Sequence, residues 1–88
     1  MIEKEFTIIN RLGLHARAAA QLVQTAGRFS ADVLVSKDDL EVNGKSIMGI
    51  LMLAAPRGST ISVSVNGPDE EAALKALEEL INDGFGED

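Results

Sequence analysis

The sequence of 88 residues contains no cysteine, no tryptophan, no tyrosine and only one histidine. Without cysteine, the chain has no disulfide bonds, no thiolate zinc sites and no cysteine nucleophile. A single imidazole does not build a histidine-based metal site, and we expect neither a metal ion nor a cofactor. Three phenylalanines are the only aromatic residues, so the chain offers few side chains on which nucleic-acid bases stack.

Long hydrophobic runs are also missing. The longest apolar run, Ile47 to Ala55, is well short of the roughly 18 residues that a membrane helix needs. The N-terminus has no basic stretch followed by an apolar one, which a signal peptide would show. The sequence therefore predicts a cytoplasmic protein without membrane insertion. Its length suits one domain spanning residues 1–88.

The charge is acidic and unevenly distributed. The formal net charge is −6, and residues 61–88 hold eight acidic residues against one lysine, whereas residues 1–60 hold seven cationic and six acidic residues. Nucleic-acid binding depends on many lysine and arginine contacts to phosphate, so this balance argues against a nucleic-acid partner. The last third of the chain predicts an acidic, solvated surface.

Hydrophobic periodicity predicts four strands and three helices. Alternating or helical spacing of apolar residues marks each element. The predicted elements, in chain order, are a strand through Ile2–Ile8, a helix over Ala16–Ala26, a strand through Ala31–Val35, a returning strand at Leu40–Val42, a short helix after Ser46 that stops before Pro56, a strand through Ile61–Val65, and a final helix ended by Gly84. Gly27 is expected to end the first helix in a left-handed conformation, and residues 85–88 to form a frayed tail.

This order, β-α-β-β-α-β-α, predicts an α+β fold. Alternating strands leave one face of a sheet apolar, and three amphipathic helices need an apolar surface to cover. A four-stranded, mainly antiparallel sheet with all three helices on one face meets both requirements.

His15 is the candidate reactive residue. It precedes the first helical residue, where serine, threonine, aspartate or asparagine is preferred because their side chains accept the free backbone N–H groups. Arg17 adds a positive charge to the positive end of the helix dipole, and Arg11 lies just upstream. These local mismatches indicate a site for an anion such as phosphate. An uncharged imidazole there also has a lone pair with which to attack phosphorus; the alternative is an ordinary exposed loop histidine.

Two motifs resemble those of one protein family. Leu12-Gly13-Leu14-His15-Ala16-Arg17 closely resembles the phosphorylation site of HPr, the histidine-containing phosphocarrier of the bacterial phosphoenolpyruvate-dependent phosphotransferase system. The segment from Lys45 to Gly49, with Ser46 near its start, is similar to the second family signature. The resemblance covers essentially the whole chain.

The resemblance implies a carrier rather than an enzyme, on an open-faced β-sandwich. Phosphorylated enzyme I would pass a phosphoryl group to Nδ1 of His15, and the carrier would hand it to a IIA-type domain. Arg17 matches the arginine that stabilises the phosphate, together with the amides of Ala16 and Arg17. Ala18 stands where the family usually has proline, and the acidic C-terminus is more like the nitrogen-related branch, so the sugar and nitrogen branches both stay open.

Ser46 and the apolar helix after it have two interpretations each. Ser46 is an N-cap, and it also matches the family serine that an ATP-dependent kinase modifies in many bacteria, which implies an HPr serine kinase/phosphorylase as a partner. Residues 47–54 are apolar nearly all round. If Ile50, Leu53 and Ala54 face the sheet, the other arc of the helix consists of Ile47, Met48, Leu51 and Met52. The alternative is a helix buried on all sides, and the sequence does not decide which arc faces inwards. We expect a docking surface beside His15 made of Ala20, Ile47, Met48 and Leu51.

Two other classes of function remain open at the level of sequence. A small-molecule-binding regulatory module is the alternative, because the ferredoxin-like order of elements is widely shared and a fold does not fix a function. An independent enzyme is disfavoured, since no carboxylate partner for His15 is evident near it in the sequence. We expect a monomer.

Overall fold

The computed structural model describes residues 1–87, which form a four-stranded sheet covered by three α-helices and closed by a short 3-10 turn. The order of elements is the predicted one. The strands and helices are β1 (Ile2–Thr7), α1 (Ala16–Gly27), β2 (Asp32–Lys37), β3 (Leu40–Asn43), α2 (Ile47–Met52), β4 (Thr60–Asn66) and α3 (Glu70–Asn82), followed by the 3-10 turn at Gly84–Gly86.

The sheet has the strand order β1-β4-β2-β3, and all three pairings are antiparallel. The last strand of the chain, β4, is therefore inserted between β1 and β2. Apolar and polar residues alternate along β4, so its two faces differ. Ile61, Val63 and Val65 are buried on the face that the helices cover, while Ser62 and Ser64 are partly exposed on the other face. This confirms the predicted open-faced sandwich.

The helices form the second layer and complete the core. Helix α1 contacts both α2 and α3, and α3 also packs on β1 and β4. Leu22 of α1, Ile50 of α2 and Leu77 of α3 are each fully buried against the apolar face of the sheet. No helix within residues 1–87 is long and apolar enough to cross a bilayer.

Asp69 joins the start of α3 to the entrance of β2. Its two carboxylate oxygens accept hydrogen bonds from the backbone N–H groups of Ser30 and Ala31, each at 2.8 Å. The hydrogen bond from Ser30 is the main reason that the pKa of Asp69 lies below its usual value, with Ala31 adding to the effect. The carboxylate therefore stays ionised and fixes the approach of two distant segments.

The structure corrects two local predictions. Gly27 does not adopt a left-handed conformation; it is the last residue of α1, and the N–H of Arg28 continues to bond back to the helix carbonyls. Ala54 does not face the sheet, because its φ of 48° turns the chain away from α2 and leaves the side chain exposed. Ile50 and Leu53 are buried as predicted, with 0% and 4% of their surface exposed.

The expected frayed tail is also wrong over residues 85–87; Asp88 lies outside the described residues. Gly84 ends α3 with a φ of 63°, as predicted for a terminating glycine, and the chain then turns back on the domain. Phe85 is only 3% exposed and belongs to the hydrophobic core. Burial of this aromatic ring anchors the tail, so Glu87 comes to lie beside the loop that precedes α1.

Candidate functional site

The loop before α1 is fixed by close contact with the segment that follows α2. The N–H of Leu14 donates to the carbonyl of Ala55 at 2.9 Å, and the Leu14 side chain is 4% exposed. Gly13 has a φ of 67°, and a Cβ there would overlap the carbonyl oxygen of Ala55 and lie 2.9 Å from Cα of Pro56. Only glycine fits this turn, which delivers His15 to the start of α1.

His15 occupies the N-cap of α1, as predicted. Its backbone is extended, with φ −80° and ψ 179°, and its Nδ1 atom accepts a hydrogen bond from the N–H of Arg17 at 3.3 Å. The imidazole thus takes the capping role that a serine or aspartate side chain usually has. Because Nδ1 faces a donor, this atom carries the lone pair of the ring.

The other ring nitrogen faces a carboxylate. Nε2 of His15 lies 2.9 Å from Oε2 of Glu87, a residue 72 positions later in the chain. This hydrogen bond from His15 is the main cause of the lowered pKa of Glu87, to which hydrogen bonds from Asn10 and the backbone of Leu12 contribute. The expectation that His15 has no carboxylate near it is therefore wrong.

Sequence reasoning missed Glu87 because the residue is brought to the site by tertiary packing alone. The sequence did contain one signal, which is Phe85 between two glycines in an otherwise polar segment. A large apolar ring flanked by residues that tolerate positive φ indicates a chain that turns back to bury it.

Asn10 is a second residue that sequence analysis missed. Its side chain, 4% exposed, is the one buried polar side chain among the described residues. Its Nδ2 group donates to the carbonyl of Gly13 at 2.7 Å and to Oε2 of Glu87 at 2.5 Å. Because both acceptors lie at the same end of the amide, that end must be the NH₂ group and not the carbonyl oxygen. Asn10 therefore connects the loop before α1 to the C-terminal segment.

Positive charge converges on the same place. A surface cleft of about 380 Å³ is lined by Arg11, His15 and Arg17 together with Glu87. The first helical hydrogen bond of α1 runs from the N–H of Ala19 to the carbonyl of His15, so the three N–H groups before it precede the helical ladder. Two guanidinium groups and a helix N-terminus make this cleft suited to a phosphate-sized anion.

Ala18, which stands at the position where the family usually has proline, lies in this first turn. Its side chain is 1% exposed and belongs to the core. Helix α1 begins at Ala16 with alanine in that place, as its high helix propensity predicts.

Ser46 caps α2, as predicted. Its Oγ atom accepts a hydrogen bond from the N–H of Gly49 at 3.1 Å, and the residue is half-buried. The side chain therefore has a structural role whether or not it is ever modified.

The four predicted docking residues differ in exposure. Ile47 and Met48 are 44% and 71% exposed, so the outer arc of α2 is the apolar surface expected there. Leu51 is half-buried and packs against the core, and Ala20 is half-buried on α1. Because α1 and α2 are in contact, these residues belong to one helical layer.

Comparison with known proteins gives consistent matches over the whole chain. The family model described as "PTS HPr component phosphorylation site" matches residues 2–83. The phosphocarrier protein HPr of Neisseria meningitidis serogroup A is 52% identical, over 99% of this chain and 98% of that protein.

Solved structures agree. The crystal structure of HPr-C-His from Thermoanaerobacter tengcongensis superposes with a TM-score of 0.96 and 50% identity, covering 100% of this chain and 99% of that one. A structure described as an HPr dimer from the same organism gives a TM-score of 0.80 at 50% identity, over 99% and 100% of the two chains. These relatives are phosphocarriers rather than catalysts, which decides against the regulatory-module and enzyme alternatives. The chain belongs to the HPr family, the phosphocarrier proteins of the phosphotransferase system.

Proposed function

We propose that Nδ1 of His15 accepts a phosphoryl group from phosphorylated enzyme I and passes it to a IIA-type domain. The observation that carries this proposal is the position of Nδ1, which presents its lone pair at the N-terminus of α1 beside two arginines. A nucleophile must be unprotonated, and the dianion that it receives needs donors and positive charge around it.

The transfer is a displacement at phosphorus. The lone pair of Nδ1 forms the new N–P bond while the bond from phosphorus to enzyme I breaks, and the electron pair of the broken bond stays on enzyme I. The N–H of Arg17, which contacts Nδ1 at 3.3 Å, has a long and therefore weak hydrogen bond to give up. This N–H then donates to a phosphoryl oxygen instead, as do the N–H of Ala16 and the guanidinium of Arg17.

Labelled phosphoenolpyruvate with enzyme I tests this proposal directly. We expect an acid-labile, base-stable label on the wild-type chain and none on His15→Ala. Arg17→Ala should accept the label more slowly and lose it faster, because the phosphoryl charge loses a partner. Arg28→Ala removes an exposed arginine at the opposite end of the same helix and should behave as the wild type. If the wild type, Arg17→Ala and Arg28→Ala accept and lose the label at equal rates, Arg17 does not belong to the site.

The proposed docking surface for both partners is made of Ala20, Ile47, Met48 and Leu51. The exposure of Ile47 and Met48 supports it, because an unbranched methionine on an open apolar surface adapts to several partners. Arg17 lies in the same helical layer as these residues, and its positive charge favours partners with acidic surfaces.

Ser46 is the proposed control point, modified by an HPr serine kinase/phosphorylase. A phosphate there adds a charge of about −1.5 to −2 beside the apolar arc and would repel an acidic partner. Ser46→Asp should slow transfer from enzyme I with the fold intact. Ser46→Asn, an uncharged residue that also caps helices, is the matched control. Equal transfer kinetics for the two variants would refute this control mechanism.

The branch served by this carrier is decided by its acceptors. Onward transfer to IIA domains of the sugar-uptake type and of the nitrogen-related type, measured side by side, distinguishes the two branches. We propose that the chain acts as a cytoplasmic monomer formed by one domain over residues 1–88, which light scattering at working concentration would test against the dimer that one relative forms.

A further inference from the structure

We infer that Glu87, held in place by Asn10, is a positioning residue that keeps the proton of His15 on Nε2 and so leaves Nδ1 as the nucleophile. This inference rests on the proposed function for its chemical consequence, but its structural part does not. It depends on four groups that meet at the start of α1: a backbone N–H, an imidazole, a carboxylate and an amide.

The neighbours of the two ring nitrogens differ in kind. Nδ1 faces the N–H of Arg17, which only donates, and Nε2 faces the carboxylate of Glu87, which only accepts when ionised. The lowered pKa of Glu87 keeps that carboxylate ionised at neutral pH. A neutral imidazole has one proton, and only its placement on Nε2 satisfies both neighbours. The other tautomer would set N–H against N–H and a lone pair against a carboxylate.

Asn10 determines where the carboxylate lies. Both hydrogens of its amide have acceptors, one the carbonyl of Gly13 and the other Oε2 of Glu87. The amide is nearly fully buried, so it has little freedom to leave these partners. Phe85 anchors the tail from the other side. Glu87 is thus held between the core and the ring, as the carboxylate of a catalytic triad is held behind its histidine.

The consequence concerns the phosphorylated state. When Nδ1 attacks phosphorus, Nε2 keeps its proton and the ring gains a positive charge, which the carboxylate balances. In onward transfer the N–P bond breaks, its electron pair returns to Nδ1, and the neutral ring with a proton on Nε2 is restored. No proton needs to move in either direction. Without Glu87 the Nε2 proton is lost more readily, and the leaving group becomes an imidazolate, which departs poorly.

Nitrogen-15 NMR of the imidazole tests the structural part in the free protein. Because the chain has one histidine, its two ring nitrogens give a single pair of side-chain signals, whose shifts report the tautomer. At pH 8 we expect the proton on Nε2 in the wild type. In Glu87→Ala we expect the ratio of tautomers to fall by about tenfold, the size expected for losing one charged hydrogen bond. Glu79→Ala, which removes an exposed glutamate from α3, should leave the ratio unchanged.

Two results of this measurement would overturn the inference: a proton on Nδ1 in the wild type, or a ratio in Glu87→Ala equal to that in Glu79→Ala. For Asn10, the Asn10→Ser variant should move the ratio in the same direction, and combining it with Glu87→Ala should add nothing further. Additive effects would show that Asn10 does not act through Glu87.

Transfer kinetics test the chemical part. Once phosphorylated, Glu87→Ala should donate to a IIA domain about tenfold more slowly and keep its phosphohistidine longer. Glu87→Gln keeps a hydrogen-bond acceptor for Nε2 but no charge, so it should restore the tautomer and not the donation rate. If the wild type takes no label, the proposed function fails while the tautomer result stands. If the wild type is labelled and Glu87→Ala matches it in tautomer and rate, this inference fails alone.

Discussion

Replacing Gly13 by alanine perturbs the turn that delivers His15 to α1. Two separate costs arise at this position. The φ of 67° is unfavourable for any residue with a Cβ, and the new methyl group would meet backbone atoms of Ala55 and Pro56, which have no flexible side chain to move aside. The loop must therefore shift, and the capping geometry of His15 shifts with it.

Two other glycines separate these costs. Gly58 has a φ of 91°, and a Cβ added there would have no neighbour within 4 Å, so alanine meets only the conformational cost of about 1–2 kcal/mol. Gly27 lies in the last turn of α1 with open space around it, so alanine should stabilise by about 0.5–1 kcal/mol. At Gly13 the steric overlap adds about 1–3 kcal/mol. Alanine also makes the unfolded chain stiffer, which offsets part of these costs. We expect Gly13→Ala to lower the free energy of unfolding by about 2–4 kcal/mol.

The order of stability should be Gly27→Ala above wild type, then Gly58→Ala, then Gly13→Ala. Urea unfolding followed by circular dichroism measures it, because a chain without tryptophan or tyrosine gives little intrinsic fluorescence. For a domain of this size each kcal/mol moves the Tm by about 4–8 °C. A Gly13→Ala variant no less stable than Gly58→Ala would refute the argument that backbone contact, and not φ alone, requires glycine before His15.

Three further outcomes are expected. Ser46→Ala should lose about 1 kcal/mol of stability in urea unfolding because α2 loses its cap, while Ser46→Asn should lose less. Ile50→Ala should cost about 2–5 kcal/mol, since its side chain is fully buried, whereas Met48→Ala on the exposed arc should cost under about 0.5 kcal/mol and instead weaken transfer from enzyme I. The depressed pKa of Asp69 means that its contribution to folding is complete above the ordinary value of 3.8 and is lost as the pH falls through the lower folded value. The urea midpoint should therefore drop as the pH is lowered below 3.8, and by less in Asp69→Asn; an equal drop would contradict this assignment.

The sequence determined the elements of this protein and the location of its candidate reactive loop. Period-two and helical spacing predicted four strands and three helices in the observed order, because each element must place its apolar residues on one side. The mismatch of His15 and Arg17 with a helix N-terminus indicated an anion site, and Ser46 indicated a cap. All of these depend on residues within one turn or one strand of each other, so their physical causes are local.

Only the tertiary structure decided which distant groups meet. Nothing in the local pattern indicates that β4 lies between β1 and β2. Phe85 between two glycines is a local signal of a buried tail, but it does not indicate where on the domain the tail packs. The contact between Glu87 and His15 depends on both, because it joins residues 72 positions apart through the packing of the whole core. The left-handed turn expected at Gly27 is wrong, because the chain keeps right-handed helical angles through the C-cap Arg28, whose φ is −76° and ψ −10°. Local chemistry thus indicates the proposed nucleophile, and the packed core brings a carboxylate to its other ring nitrogen.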